Sequence, residues 1–243
     1  MADEVEPILG ARRGWSMRRR FFALDSYGLL LLLILGSLVV AAVEIPSLAR
    51  ALAVARIATL GGTLAFALHT SGATRRTYVI CGGLVAIAVA LTIALDGQSR
   101  LGQAVQALGA FLLIVAVLIT VVRRFSSHPV VTGSSILAAI CIYLFIGLAF
   151  ASIYGFIAAT DLGPLFANGL GDGSSAERIY YSYITLTTTG YGDFVPATDP
   201  ARMMAITEAL FGQVYLVTIV ALLVSNIGSP RRRYPNGPAS GGS

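Results

Sequence analysis

The chain has 243 residues, 56% of them hydrophobic and 12% charged, with a mean hydropathy of +0.79. A soluble domain carries about a quarter charged residues, so the composition excludes an ordinary soluble enzyme or binding module and fits an integral membrane protein. The net charge of +5 comes from 17 basic residues, every one an arginine. They lie in short clusters beside apolar runs, which marks membrane topology, not a nucleic-acid face.

Residues 1–26 are polar and carry Arg12, Arg13, Arg18, Arg19 and Arg20. Arg18-Arg19-Arg20-Phe21-Phe22 has the look of a twin-arginine export signal, but the apolar run after it is long and lacks a small-residue cleavage site. An uncleaved cytoplasmic segment is expected. Five or six apolar spans follow from hydropathy, placed near Tyr27–Val43, Leu52–His69, Tyr78–Leu95, Ala104–Val122, Ser134–Ile157 and Ala201–Ser225. Each is long enough for a bilayer core, which needs about 20 apolar residues, or about 17 at the short end. Cys81 and Cys141 fall inside such spans and read as small buried hydrophobes, not as a disulfide or metal site.

Charge tests this count independently. With the N-terminus inside, the cytoplasmic segments hold the five N-terminal arginines together with Arg75, Arg76, Arg123, Arg124, Arg231, Arg232 and Arg233. The outer segments hold Arg50, Arg100, Arg178 and Arg202 against the acids Glu44, Asp96, Asp161, Asp172, Glu177, Asp193 and Asp199. Six spans with both termini cytoplasmic satisfy the positive-inside rule. Residues 228–243 are Arg, Pro, Gly and Ser, too few and too polar to fold alone, so no regulatory domain is expected there. Arg56 is the single charge within the second span; near its outer end it can snorkel or pair with Glu44 or Asp96.

Between the fifth and sixth spans lies a Gly-, Asn- and Asp-rich loop, residues 159–175, and then Ser174-Ser175-Ala176-Glu177, a capping-box pattern. It predicts a short helix to about Thr187. That helix carries Tyr180, Tyr181 and Tyr183 and runs directly into Thr187-Thr188-Thr189-Gly190-Tyr191-Gly192-Asp193.

This string resembles the T-x-G-Y-G-D selectivity-filter signature of the potassium-channel pore-domain family, matching at Thr188, Gly190, Tyr191, Gly192 and Asp193. Such a filter replaces the hydration shell of K+ with rings of oxygens, one segment from each subunit, and glycines at alternate positions permit the backbone this demands. The resemblance implies K+ ligation by the carbonyls of Thr188, Thr189, Gly190 and Tyr191 with the Thr188 hydroxyl at the inner end. Gly192 completes the filter. Thr187, Asp193, Tyr180 and Tyr181 support it, with the tyrosines packed against Tyr191 of a neighbouring subunit. An interfacial aromatic belt is the other reading of those tyrosines. Ile184 stands where some bacterial relatives place a glutamate that pairs with the filter aspartate, which puts that mode of inactivation in doubt. Asp193 and Asp199 form acidic groups at the outer mouth, with Asp199 equally well read as solvated loop charge.

In the last span, Gly212 occupies a hinge position of the family, or serves close helix packing. Gln213, Leu216, Val220 and Val224 repeat at helical spacing and line the inner cavity and gate, or face lipid or a neighbouring subunit. Glu208 is ionisable within a span, which makes function the default reading. It braces the filter, or sits near enough to the outer surface to stay hydrated. The fourth span has no charge between Ala104 and Val122, so no conventional voltage sensor is expected. The resemblance covers about the last hundred residues.

The resulting expectation is an all-α membrane protein with four domains. They are residues 1–26 (cytoplasmic), 27–125 (four helices without an arginine ladder), 126–227 (outer helix, re-entrant pore helix, filter and inner helix) and 228–243 (a short tail). One filter per chain implies a homotetramer, since transporters with related pores fuse four repeats in one chain. It would sit in the cell membrane and pass K+ as permeant ion, with no other cofactor, no nucleic acid, no soluble partner and no catalytic site. The alternatives are a weakly selective cation channel, because Thr189 replaces the commoner Val or Ile, and a non-conducting scaffold or regulatory subunit with a channel-like fold.

Overall fold

A computed structural model describes residues 27–41, 43, 45–71, 75–95, 99–126, 133–160 and 163–227. The arginine-rich residues 1–26, the tail 228–243 and the acids Glu44, Asp96 and Asp161 lie outside the described residues.

The described residues form helices. They are α1 (Tyr27–Ala41), α2 (Ala49–Ser71) behind a 3-10 turn at Pro46–Leu48, α3 (Arg75–Ala94), α4 (Arg100–Ser126), α5 (Gly133–Ala158), α6 (Ser175–Leu186) and α7 (Asp199–Ile227). Helix boundaries follow local chemistry: the Ser99 hydroxyl accepts from Gly102 N at 3.0 Å at the start of α4, and Pro200 stands in the first turn of α7, where a missing N–H costs nothing.

Five of these helices are long and apolar enough to cross a membrane: α2, α3, α4, α5 and α7. Within the described residues the first expected span is the shorter apolar helix α1. It still packs as part of the bundle, burying Tyr27, Leu30 and Ile34 on one side and exposing Leu32 and Val39 on the other.

Helix α4 packs against α2, α3 and α5, while α6 lies between α5 and α7. Two apolar clusters result. One joins α1 through α5 around Ile34, Leu64, Leu113, Val117 and Phe145. The other joins α5, α6, the start of α7 and the loops around Tyr154, Leu165, Phe166 and Tyr181. Helix α3 keeps Val79, Ile80, Ile87 and Ile93 exposed, an apolar exterior suited to lipid. Cys81 and Cys141 are buried free thiols. Arg56 Nη2 donates to Val43 O at 2.9 Å, a backbone acceptor for the charge within α2.

Candidate functional site

Helix α6 begins as its sequence dictates. The Ser174 hydroxyl accepts from Glu177 N at 3.2 Å, and Glu177 Oε2 accepts from Ser174 N at 2.6 Å, a reciprocal capping box. The loop before it is tied to the chain after residue 193: Ala167 N donates to Val195 O and Ala197 N to Leu165 O, both at 2.9 Å. The fully buried Phe166 ring is the hub of this region, edge-on to Tyr181 at 5.1 Å and to Phe194 at 4.9 Å between centroids. Gly173 has φ +62° and its backbone approaches that ring so closely that a Cβ would lie 2.7 Å from Phe166 Cε2. The stretch on either side of residues 187–193 is thereby bound together.

At the C-terminal end of α6 the carbonyl of Ile184 accepts from both Thr189 N (2.9 Å) and Gly190 N (3.1 Å), and Thr188 N donates to Thr185 O at 2.9 Å. Beyond it, φ is +56° at Thr188, +51° at Gly190 and +80° at Gly192, while Thr189 and Tyr191 between them are not positive. A positive φ at β-branched Thr188 is a conformation that its surroundings must hold. Its hydroxyl donates to Thr187 O at 2.7 Å and accepts from Gln213 Nε2 at 3.0 Å. The Thr187 and Thr189 hydroxyls share a hydrogen bond of 2.9 Å, which turns the Thr189 side chain toward its own chain. At the outer end, the Tyr180 phenol donates to Asp193 Oδ2 at 2.7 Å. That bond, more than burial or charge, pushes the phenol pKa above its ordinary value. The oxygens offered along this segment are backbone carbonyls and threonine hydroxyls; among the described residues no three His, Cys, Asp or Glu side chains cluster as a metal site.

Behind the segment sits Glu208 of α7, 0% exposed. Its carboxyl group accepts from Tyr154 of α5 at 2.7 Å and from Ser182 of α6 at 2.5 Å. Three helices meet at this one group. The Ser182 hydroxyl also lies 2.7 Å from Gly147 O, and Tyr183 donates to Leu144 O at 2.7 Å. Gly147 lets α6 come this close, since a Cβ there would lie 2.6 Å from Tyr183 Cε1. Lower down, Tyr143 donates to Leu186 O at 3.1 Å and stacks on Tyr215 at 5.7 Å, whose hydroxyl reaches Ala139 O at 2.6 Å. A Cβ on Gly212 would collide with the Leu186 carbonyl oxygen and come within 3.1 Å of its carbon.

Most of the expected site residues thus gather around one short segment. Thr187 to Gly192 are exposed, Tyr191 at 72%. Tyr180 meets Asp193, whereas Tyr181 is buried between Tyr154 and Phe166 within its own chain, 5.0 and 5.1 Å away. Glu208 is enclosed, with Tyr154 and Ser182 as its partners. Gly212 is pressed against α6, which fits close packing. Gln213 touches Thr188, while Leu216 and Val220 are exposed further along α7; the side chain of Val224 lies outside the described residues. Asp199 pairs with Arg202 in an exposed contact of 3.3 Å. Sequence reading missed Tyr154, Ser182, Gly147, Tyr143, Tyr215 and Phe166. A hydroxyl or glycine within an apolar helix was the one signal available for most of them.

Residues 138–228 match a family described as "Ion channel". The chain is similar to mouse potassium channel, subfamily K, member 16, with 29% identity over 43% of this chain and 35% of the relative. It is also similar to human potassium channel subfamily K member 17, with 30% identity over 34% of this chain and 27% of the relative. Against the voltage-gated potassium channel Kch of Escherichia coli, identity is 28% over 49% of this chain and 26% of the relative. The chain therefore spans about a third or less of the length of these relatives. No solved structure matches it.

Proposed function

We propose, from the match of residues 138–228 to a family of ion channels and the likeness to potassium channels, that this membrane-spanning chain forms a K+-selective channel in which Thr188 to Gly192 are the selectivity filter. The family is one of ion channels, not enzymes. One observation carries the assignment of the filter: φ is positive at residues 188, 190 and 192 and not at 189 or 191, directly beyond the C-terminus of α6. A backbone that alternates in handedness turns successive carbonyls to one side, the arrangement by which a filter replaces the hydration shell of K+.

In this reading α6 is a re-entrant pore helix whose partially negative C-terminal end faces the permeation axis and favours a cation. Four chains surround that axis, since one segment offers oxygens from one side. The exposure of Tyr191 and of the apolar α7 surface supports an assembly that covers them. Passage is passive, by dehydrated K+ in single file. Helix α4 carries charge only at its ends, which supports opening without a conventional voltage sensor. The channel lies in the cell membrane with both termini cytoplasmic, an orientation supported by the arginine distribution.

Reconstitution in liposomes under opposed K+ and Na+ gradients tests the reading. A reversal potential near the K+ equilibrium value is expected; one near zero means a weakly selective pore, and no flux means a scaffold. Gly190→Ala places a Cβ at φ +51° and should abolish selectivity or current. An unchanged Gly190→Ala channel would refute the filter.

A further inference from the structure

Gln213 stands one residue beyond Gly212, whose backbone is pressed against the end of α6. The carboxamide of Gln213 donates to Thr188 Oγ1 at 3.0 Å, and the same hydroxyl gives its own proton to Thr187 O at 2.7 Å. A hydroxyl has one proton and two lone pairs. With the proton and one lone pair committed within the chain, a single lone pair remains for a cation. Thr188 itself is β-branched at φ +56°, and Gln213 is the contact from another helix that holds its side chain.

We propose that Gln213 is a positioning residue for the innermost cation site of the filter. By orienting the Thr188 hydroxyl it sets how tightly that site holds a dehydrated cation, and it ties that affinity to the position of α7. The inference rests on the filter reading above. Its location gives it a dependence that a mere cavity-lining residue lacks, because its effect must pass through Oγ1 of Thr188.

The test uses the full chain in planar bilayers with Ba2+ on the inner side as probe, a divalent ion close to K+ in radius. Gln213→Leu should weaken Ba2+ block about three- to tenfold, the worth of one neutral hydrogen bond. Gln213→Asn keeps the polarity but is one methylene too short to reach, so it should weaken block equally. Thr188→Ala weakens block by itself, and in that background Gln213→Leu should add nothing further. Unchanged block in both Gln213 variants, or effects of the two positions that multiply, would overturn the proposal while leaving a K+-selective wild type intact. A wild type without K+-selective flux instead removes the filter reading and this inference together.

Discussion

Replacing Gly212 by alanine separates the two roles open to that residue. A Cβ there collides with the Leu186 carbonyl oxygen and lies 3.1 Å from both the carbonyl carbon and Leu186 Cδ1. Two of these three atoms are backbone at the end of α6, which is fixed by the Tyr143 hydrogen bond, so nothing flexible yields. Overpacking of this kind costs about 1–3 kcal/mol, and displacing the carbonyl from Tyr143 adds about 1 kcal/mol. For a chain of this size the total lowers the melting temperature by roughly 4–16 °C. Purified wild type and Gly212→Ala can be compared by thermal loss of the assembled peak in size-exclusion chromatography, alongside K+ flux in liposomes. Packing predicts that stability and flux fall together, and that Leu186→Ala, which removes only Cδ1 of the three contacting atoms and leaves the carbonyl in place, fails to rescue. A bending hinge predicts normal stability with reduced opening, and that outcome would refute the packing argument.

Gly147→Ala should destabilise by about 1–3 kcal/mol, because the new Cβ lies 2.6–3.0 Å from three atoms of the Tyr183 ring. Tyr183→Leu in that background should restore part of the loss in the same chromatographic assay. Tyr154→Phe leaves Glu208 with Ser182 alone and should cost about 1–3 kcal/mol. Glu208→Leu orphans Tyr154 while Ser182 keeps Gly147 O, so the double variant should cost less than the sum of the singles, and strict additivity would count against the shared node. Tyr180→Phe should leave thermal stability almost unchanged, since the pair is exposed, and, in the proposed channel, should alter K+ current by freeing Asp193. Because the phenol pKa is raised, the neutral donor is present below the usual tyrosine value and lost only as pH rises through the higher folded one. Current recorded between pH 6 and 9 should therefore show no titration of this phenol.

What was legible in the sequence was local. The capping box at Ser174 and Glu177 acts over four residues, so its letters and its geometry coincide. The alternate glycines 190 and 192 declare positive φ, but Thr188 at φ +56° does not, since a threonine carries no such mark. Glu208 stood out because a carboxyl in an apolar span is costly. Its partners did not, because Tyr154 and Ser182 are ordinary residues of their helices until the fold brings them 54 and 26 positions back to it. Gly212 left hinge and packing open, since glycine permits both; the neighbouring Leu186 carbonyl supplies a packing reason that the letter alone does not show. Tyr180, Tyr181 and Tyr183 looked like one aromatic group, yet helical rotation sends them to Asp193, to the Phe166 cluster and to α5 respectively.

The way α6 is held follows from its surroundings. Within a bilayer, lipid tails are as apolar as leucine, so helices gain little by burying apolar faces against one another; close contacts at small residues and interhelical hydrogen bonds take that role. Helix α6 has both on each flank. Toward α5 it has Gly147, Ser182 and Tyr183; toward α7 it has Glu208 and Gly212; at its end it has Tyr143. Each such bond contributes only about 0.6–2 kcal/mol, but together they fix the rotation and depth of a short helix. Residues 187–192 are exposed in the single chain and can draw little from packing of their own. Their alternating backbone must therefore be set by the end of α6, through Ile184 O to Thr189 and Gly190. In the proposed channel, residues 188–192 are thus carried on a short helix that is closely approached on both flanks.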